Sequence, residues 1–350
     1  MAATLQEALD TYAVPGQLVR SEGDGAVRCV ACGHRCLIRP GRRGICKVRF
    51  NRDGTLMVPS GYAAAVHSDP IEKKPFYHVL PGEDCLTFGM LGCDFHCAYC
   101  QNWLTSQALK DPEALAGVTP VAAAQLVELG RRARTRIVAS SYNEPLITAE
   151  WAVDVFRLAR SEGMKTAFVS NGNATPEVLE YLRPWTDAYK IDLKAWQDRS
   201  YRQLGGVLKN VREGMRMVFE HGFWMEIVTL VVPGFNDSEA ELRGMAEAVA
   251  AISLDIPWHV TAFHQDYRMT DPRNTAVSDL LRACEIGRAA GLRFVYAGNV
   301  PGRVGRWEHT WCPSCDALLI ERLGYRVIRH RVTPQGTCPD CSARIPGIWR

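Results

Sequence analysis

The chain has 350 residues, 47% of them hydrophobic, which is enough to bury a full core and long for one domain, so a main domain with small appendages is expected. Lys and Arg number 41 against 38 Asp and Glu, and a net charge of +3 gives no electrostatic footprint for nucleic acid or a membrane surface. No apolar run reaches the ~18 residues of a spanning helix, and Met1 to Tyr12 carries acidic residues rather than a basic stretch before an apolar core, so a cytoplasmic protein is expected.

Thirteen cysteines would imply disulfides in a small secreted chain, but in a large one without a signal they read as metal ligands. Eleven of them fall into three groups. The first is Cys29-Val30-Ala31-Cys32 followed by Cys36 and Cys46, with Gly41-Arg42-Arg43-Gly44 as a tight turn. Four thiolates make a closed set, for structural zinc or for an auxiliary iron–sulfur cluster. Residues 1–75 form the expected amino-terminal metal-binding module.

Next, Asp84 to Met90 reads as a buried strand, and it runs into Gly92-Cys93-Asp94-Phe95-His96-Cys97-Ala98-Tyr99-Cys100. This C-x3-C-x2-C spacing supplies one thiolate too few for a closed site, and three thiolates on a four-iron cluster leave one iron open. Gly89 and Gly92 let the backbone curl closely around such a group. The competing reading is zinc on Cys93, Cys97 and Cys100 with His96 or Cys85 as fourth ligand.

From there to Asn299 the chain alternates short Val/Ile/Phe-rich runs with helical stretches, the pattern of βα units on a parallel sheet. Strands are expected at Arg136 to Ser141, Thr166 to Asn171, Ala188 to Lys194, Trp224 to Val232 and Trp258 to Phe263, with a last one at Arg293 to Ala297. Helices fit at Pro120 to Arg132, Thr148 to Ser161, Pro176 to Leu182, Val207 to Glu220, Ser238 to Ile252 and Val277 to Ala290, with caps at Thr119-Pro120, Thr175-Pro176 and Asp237-Ser238. Lys110 to Gly117 reads as a surface connection. Six strong units fall short of the eight that close a barrel, so the fold class is α/β, an open partial (β/α)6 barrel of TIM type over residues 76–303.

Active sites of such folds gather at the carboxyl ends of the strands. There the sequence places Tyr142-Asn143-Glu144-Pro145, which also fits a helix start with Asn143 as cap. Ser170-Asn171-Gly172 offers a hydroxyl and an amide, Asp192 and Lys194 share one side of a strand, His264 follows the sixth strand, and Asn299 closes the last. In the final module, residues 304–350, Cys312-Pro313-Ser314-Cys315 and Cys338-Pro339-Asp340-Cys341 flank a hairpin strand near Tyr325 to Ile328, the pattern of a zinc ribbon. Cys85 and Cys284 are left as buried apolar thiols.

The cluster loop strongly resembles that of radical S-adenosylmethionine (SAM) enzymes. Together with Cys29 to Arg49, Ser141 to Pro145, Gly298-Asn299-Val300-Pro301-Gly302 and the final ribbon, it resembles the AmmeMemoRadiSam system radical SAM enzymes, over about residues 20 to 350, with a barrel similar to pyruvate formate-lyase activating enzymes. The resemblance implies a 4Fe-4S cluster on Cys93, Cys97 and Cys100, SAM on its open iron, and reductive cleavage to a 5′-deoxyadenosyl radical that abstracts hydrogen from an unidentified substrate, a glycyl radical protein being one extension. It implies cofactor contacts for Tyr99, Asn143, Glu144, Ser170, Asn171, Asp192, Lys194 and His264. Many relatives carry Gly-Gly-Glu where Glu144 stands here without the glycines, and commonly Asn where Asp94 stands, a change expected to alter loop hydrogen bonding more than ligation. The implied partners are a reductant such as ferredoxin or flavodoxin and a small-molecule or protein substrate. The alternative is a non-catalytic zinc-binding scaffold that docks a protein or nucleic acid.

Overall fold

The computed structural model describes residues 4–350. Its centre is one eight-stranded sheet built from Ala65–Pro70 (β1), Asp84–Gly89 (β2), Ile137–Ser140 (β3), Lys165–Ser170 (β4), Ala188–Asp192 (β5), Trp224–Val231 (β6), Trp258–Ala262 (β7) and Val295–Gly298 (β8). Strands β2 to β8 run parallel in chain order, and β1 pairs antiparallel with β2. Every residue of β3 is buried, as expected of a strand covered on both faces. All seven parallel strands fall where the hydrophobic runs lie. The sheet also takes in β1, a segment assigned from the sequence to the amino-terminal module.

Helices Ala123–Arg132 (α1), Ala149–Ser161 (α2), Pro176–Leu182 (α3), Leu208–Glu220 (α4), Glu239–Ile252 (α5) and Val277–Ala289 (α6) lie in the crossovers. Helix α2 buries Ala149, Ala152, Val153, Phe156 and Ala159, one stripe at helical spacing against the sheet. Thr175 and Ser238 cap as expected, their hydroxyls accepting from Val178 N and Glu241 N. Thr119-Pro120 does not cap α1. It forms a two-residue strand against Tyr62–Ala63, a place that tolerates proline, and the helix starts after Ala122, whose N–H donates to the Gln125 side chain.

Two smaller modules flank the sheet. In the amino-terminal one, Val19–Ser21, Val27–Cys29 and Leu37–Ile38 pair antiparallel, beside a second small sheet of Ala13–Pro15, Thr55–Pro59 and Phe50–Arg52. One link to the main domain is Arg49, which is fully buried and donates to Ile147 O at 2.7 Å, to the Glu150 carboxylate and to Cys29 Sγ at 3.7 Å. The other Glu150 oxygen accepts from Gln17 N and Leu18 N. At the far end, Thr310–Trp311 (β9), Leu318–Leu323 (β10) and Arg326–His330 (β11) make an antiparallel sheet. Buried Arg322 of β10 donates to Tyr77 O and Thr310 Oγ1, both at 2.8 Å, and stacks 4.2 Å over the Tyr77 ring. Glu226 of β6, also buried, accepts from Tyr77 N, His78 N and the His259 ring. Residues 71–80 are thereby clamped between the sheet and the carboxyl-terminal module. Among the described residues no helix is long and apolar enough to cross a membrane.

Removing one partner of a buried ion pair strands the other charge, at a cost of about 3–5 kcal/mol. Arg49→Met should therefore lower the stability of the main domain by about that amount, read as a fall in thermal midpoint, whereas the exposed-pair variant Arg216→Met should change it by less than about 1 kcal/mol.

Candidate functional site

The loop after β2 curls back on itself at Gly92, where φ is +96° and a side chain would meet Val48 and the Cys46 carbonyl. Gly89 is needed for a different reason, since a Cβ there would lie 2.5 Å from Ser141 O at the end of β3. With both strand ends in contact, Cys93, Cys97 and Cys100 are drawn onto the wall of one cavity of about 360 Å³. That is within the ~300–1,000 Å³ of ordinary small-molecule sites. Burial pushes all three thiols up, Cys97 to about 12, so they stay protonated until a metal displaces the protons.

Neither candidate fourth zinc ligand reaches this cavity. Cys85 lies near the start of β2, at the opposite end of the strand from the loop, where it is wholly buried and bonds Thr87. His96 turns its ring against Gly205. Among the described residues, the four sulfurs of Cys312, Cys315, Cys338 and Cys341 do gather, all within 4.8 Å of one another, with pairs at 3.6 and 3.7 Å, a set able to bind one metal ion. The central trio and Cys29, Cys32, Cys36 and Cys46 are more widely spread.

Behind the loop sit two buried carboxylates. Asp94 accepts from Asn171 Nδ2 at 2.7 Å and Asn173 Nδ2 at 2.8 Å, with His34 Nε2 of the amino-terminal module 3.8 Å away. Glu144 accepts from Ser170 Oγ and Asn171 N, both at 2.7 Å, and from Leu146 N at 3.1 Å. It is therefore Glu144, and not Asn143, that caps the turn Pro145–Thr148, while Asn143 Oδ1 accepts from Met90 N and pins the start of the cluster loop. Burial, followed by the nearby Asp94 charge, pushes Glu144 up to about 8.

The remaining residues named from the sequence divide between this cavity and its neighbour. Tyr99, Asn143, Glu144, Ser170, Asn171, Asp192 and Lys194 line it, with Tyr99 packed edge-on against Phe235 at 5.7 Å. Burial works against ionised Asp192, but Lys190 and Lys194 outweigh it and hold the carboxyl below its ordinary value. His264 lines an adjoining cavity of about 570 Å³ and reaches the cluster loop from the opposite wall, 3.0 Å from Gln101 Nε2. Asn299, in a left-handed conformation at φ +66°, borders both cavities and accepts from Tyr325 of the β10–β11 turn.

Three contributors were not singled out from the sequence. Lys190 lies two residues before Asp192 on the same side of β5, so the alternation that pairs Asp192 with Lys194 includes it as well. Lys74 comes from the chain ahead of β2. The stretch Lys110 to Gly117 runs over the surface as expected, with Pro112, Glu113, Leu115 and Gly117 exposed, but its first two residues turn inward: Lys110 Nζ donates to Cys93 O at 2.6 Å and Phe95 O at 3.0 Å, and buried Asp111 holds Tyr267 and Arg268 of the β7–α6 connection. Tyr267 in turn stacks on Trp103 at 4.9 Å.

A family profile described as "Radical SAM superfamily" matches residues 88–246, the stretch from the end of β2 into α5. Over 301 residues the chain is 36% identical to "Uncharacterized protein MJ0808" of Methanocaldococcus jannaschii, covering 85% of this chain and 88% of that protein. It is 24% identical over 198 residues to the pyruvate formate-lyase-activating enzyme of Clostridium pasteurianum, 51% of this chain and 80% of the other. It is 29% identical over 126 residues to the isethionate sulfite-lyase activating enzyme of Oleidesulfovibrio alaskensis, 34% of this chain and 40% of the other. The chain belongs to the radical SAM superfamily and is similar to activating enzymes of that group.

Asp94→Asn would set an amide nitrogen against the Nδ2 of Asn171 or Asn173, leaving a buried donor without an acceptor at about 1–3 kcal/mol. The variant should still fold, and its thermal midpoint should fall below that of the parent, read by calorimetry on the purified protein.

Proposed function

We propose that the chain is a radical SAM oxidoreductase in which Cys93, Cys97 and Cys100 hold a 4Fe-4S cluster. The supporting observation is that these three thiols share one cavity while His96 and Cys85 stay away from it. When bound there, cluster and SAM together supply a 5′-deoxyadenosyl radical by one-electron cleavage of the sulfonium, and the radical takes a hydrogen atom from the substrate. The electron comes from a reductant of the ferredoxin or flavodoxin type.

The protein's own residues then orient and exclude water. Glu144 is the acceptor for a cationic amino group, because a carboxyl whose pKa is raised by burial is pulled back to its ionised form by an arriving positive charge. Asn143, Ser170 and Asn171 keep that carboxylate and the loop in register. Asp192 and Lys194 offer an acceptor and a donor to the ribose and carboxylate, and Tyr99 a flat apolar face to the adenine. His264 closes the wall through Gln101.

Around this centre the reading keeps an open partial barrel, zinc in the carboxyl-terminal ribbon, a metal on Cys29, Cys32, Cys36 and Cys46, and a cytoplasmic location. Sulfur pairs at 3.6 and 3.7 Å suit a zinc tetrahedron with bonds of ~2.3 Å. Assignment to the AmmeMemoRadiSam group and a role as activator of a glycyl radical protein are further parts of the proposal, supported by the similarity to activating enzymes.

Anaerobically reconstituted protein should show iron–sulfur absorption and, once reduced, release 5′-deoxyadenosine from SAM. Cys97→Ala should abolish the release, and zinc without iron on the trio would refute the proposal. A strong zinc chelator, applied to protein whose cluster is intact, should strip the ribbon and lower its thermal midpoint, and Cys312→Ser should hold about one zinc fewer than the parent.

A further inference from the structure

The cavity that carries the cluster cysteines is also lined by Lys73, Lys74, Tyr142 and Lys190, to which the cofactor reading gives no role, and by Asn299 and Tyr325. Lys74 and Lys190 are each only 6% exposed, an unusual state for ammonium groups, which are rarely buried without full compensation.

Compensation here is incomplete by count. Asp69 stands 2.8 Å from Lys73 Nζ and 3.4 Å from Lys74 Nζ, one carboxylate for two ammoniums. Asp192 is likewise shared between Lys190 and Lys194, the latter at 3.5 Å. The other carboxylate lining the cavity, Glu144, already accepts from three donors. Each lysine pair thus carries one positive charge more than its carboxylate can balance. Lys74 also donates to Tyr142 Oη at 3.1 Å and lies 4.6 Å from the centre of that ring, and Tyr142 holds a left-handed backbone, φ +70°, a strained state for a tyrosine. An ammonium has three hydrogens to donate, so both lysines retain donor capacity.

We propose that Lys74 and Lys190 form an oxyanion subsite, and that the substrate of this enzyme presents a carboxylate or phosphate to it while the carbon to be attacked faces the cysteine wall. The inference rests on the cofactor reading for the position of the reacting carbon, but the subsite itself rests only on the lysines and their counter-ions. Burial depresses the Lys74 pKa, with Asp69 working against it, and an incoming anion would restore it. A counter-ion role and a surplus-charge role differ in their consequences. Lys74→Met leaves Asp69 with Lys73, and Lys190→Met leaves Asp192 with Lys194, so each variant remains charge-balanced and should melt no lower than the parent.

The test uses reconstituted full-length protein with SAM and two probes, inorganic phosphate and malonate, titrated by calorimetry. One or both should bind. Lys74→Met and Lys190→Met should each weaken binding at least about tenfold, the share of one charge-assisted hydrogen bond, with Lys74→Arg close to the parent and the exposed control Lys209→Met unchanged. Phosphate stronger than malonate identifies a phosphorylated substrate, and the reverse a carboxylate. Failure of both probes, or equal affinity in parent and lysine variants, overturns the subsite. Iron content and 5′-deoxyadenosine release are measured on the same parent sample. If these are normal and no anion binds, the subsite alone falls; if they are absent and lysine-dependent binding persists, the cofactor reading falls and the subsite stands.

Discussion

Two carboxylates buried behind the cysteine loop fix everything else in the site. Asp94, directly after the first cluster cysteine, is wholly buried and ties the loop to Asn171 and Asn173 beyond β4. Glu144 ties the end of β3 to Ser170 and Asn171 at the end of β4. Asn171 is common to both, using its side chain for Asp94 and its main chain for Glu144. Burial, and after it the like charge of Asp94, moves Glu144 up rather than down despite three donors.

The strands were legible because a parallel sheet buries both faces, and continuous Val/Ile/Phe runs survive in the sequence as its trace. Helix α3 starts where Thr175-Pro176 announces it and ends at Leu182 as read. The edge strand β1 was not legible. It is half-exposed and contains His67, Ser68 and Asp69, so neither period nor composition marks it. The cysteine trio was plain from spacing, whereas the role of Asp94 was not, since its partners lie 77 and 79 residues further along. Lys74 was hidden in the same way, because Tyr142 is 68 residues away. Lys190 is different, since strand alternation sets it on the same face as Asp192 and Lys194.

The amino-terminal module is more than an attachment. His34 approaches Asp94, Gly33 N donates to Asn173 O at 2.8 Å, and the Cys46 carbonyl packs against Gly92. The module therefore touches the loop through His34 and Cys46, while Arg49 and Glu150 anchor it to α2. A shift of Cys29 to Cys46 on binding a metal would reach the loop through direct contacts, with no intervening element to absorb it.

The carboxyl-terminal module reaches the site from the other direction. Its clamp on residues 71–80, Arg322, and the turn between β10 and β11 belong to one short hairpin. Glu308 receives Gly324 N and Gly302 N, which fixes the turn against the end of β8, and Tyr325 then donates to Asn299 at 3.2 Å on the rim of both cavities. Arg322 and Tyr325 are three residues apart, so the same hairpin that grips Tyr77 sets the position of the rim. Lys73 and Lys74 lie within the clamped segment, so the lysines that line the cavity and the Tyr325–Asn299 contact on its rim are held by one module, through Arg322 and the turn three residues beyond it.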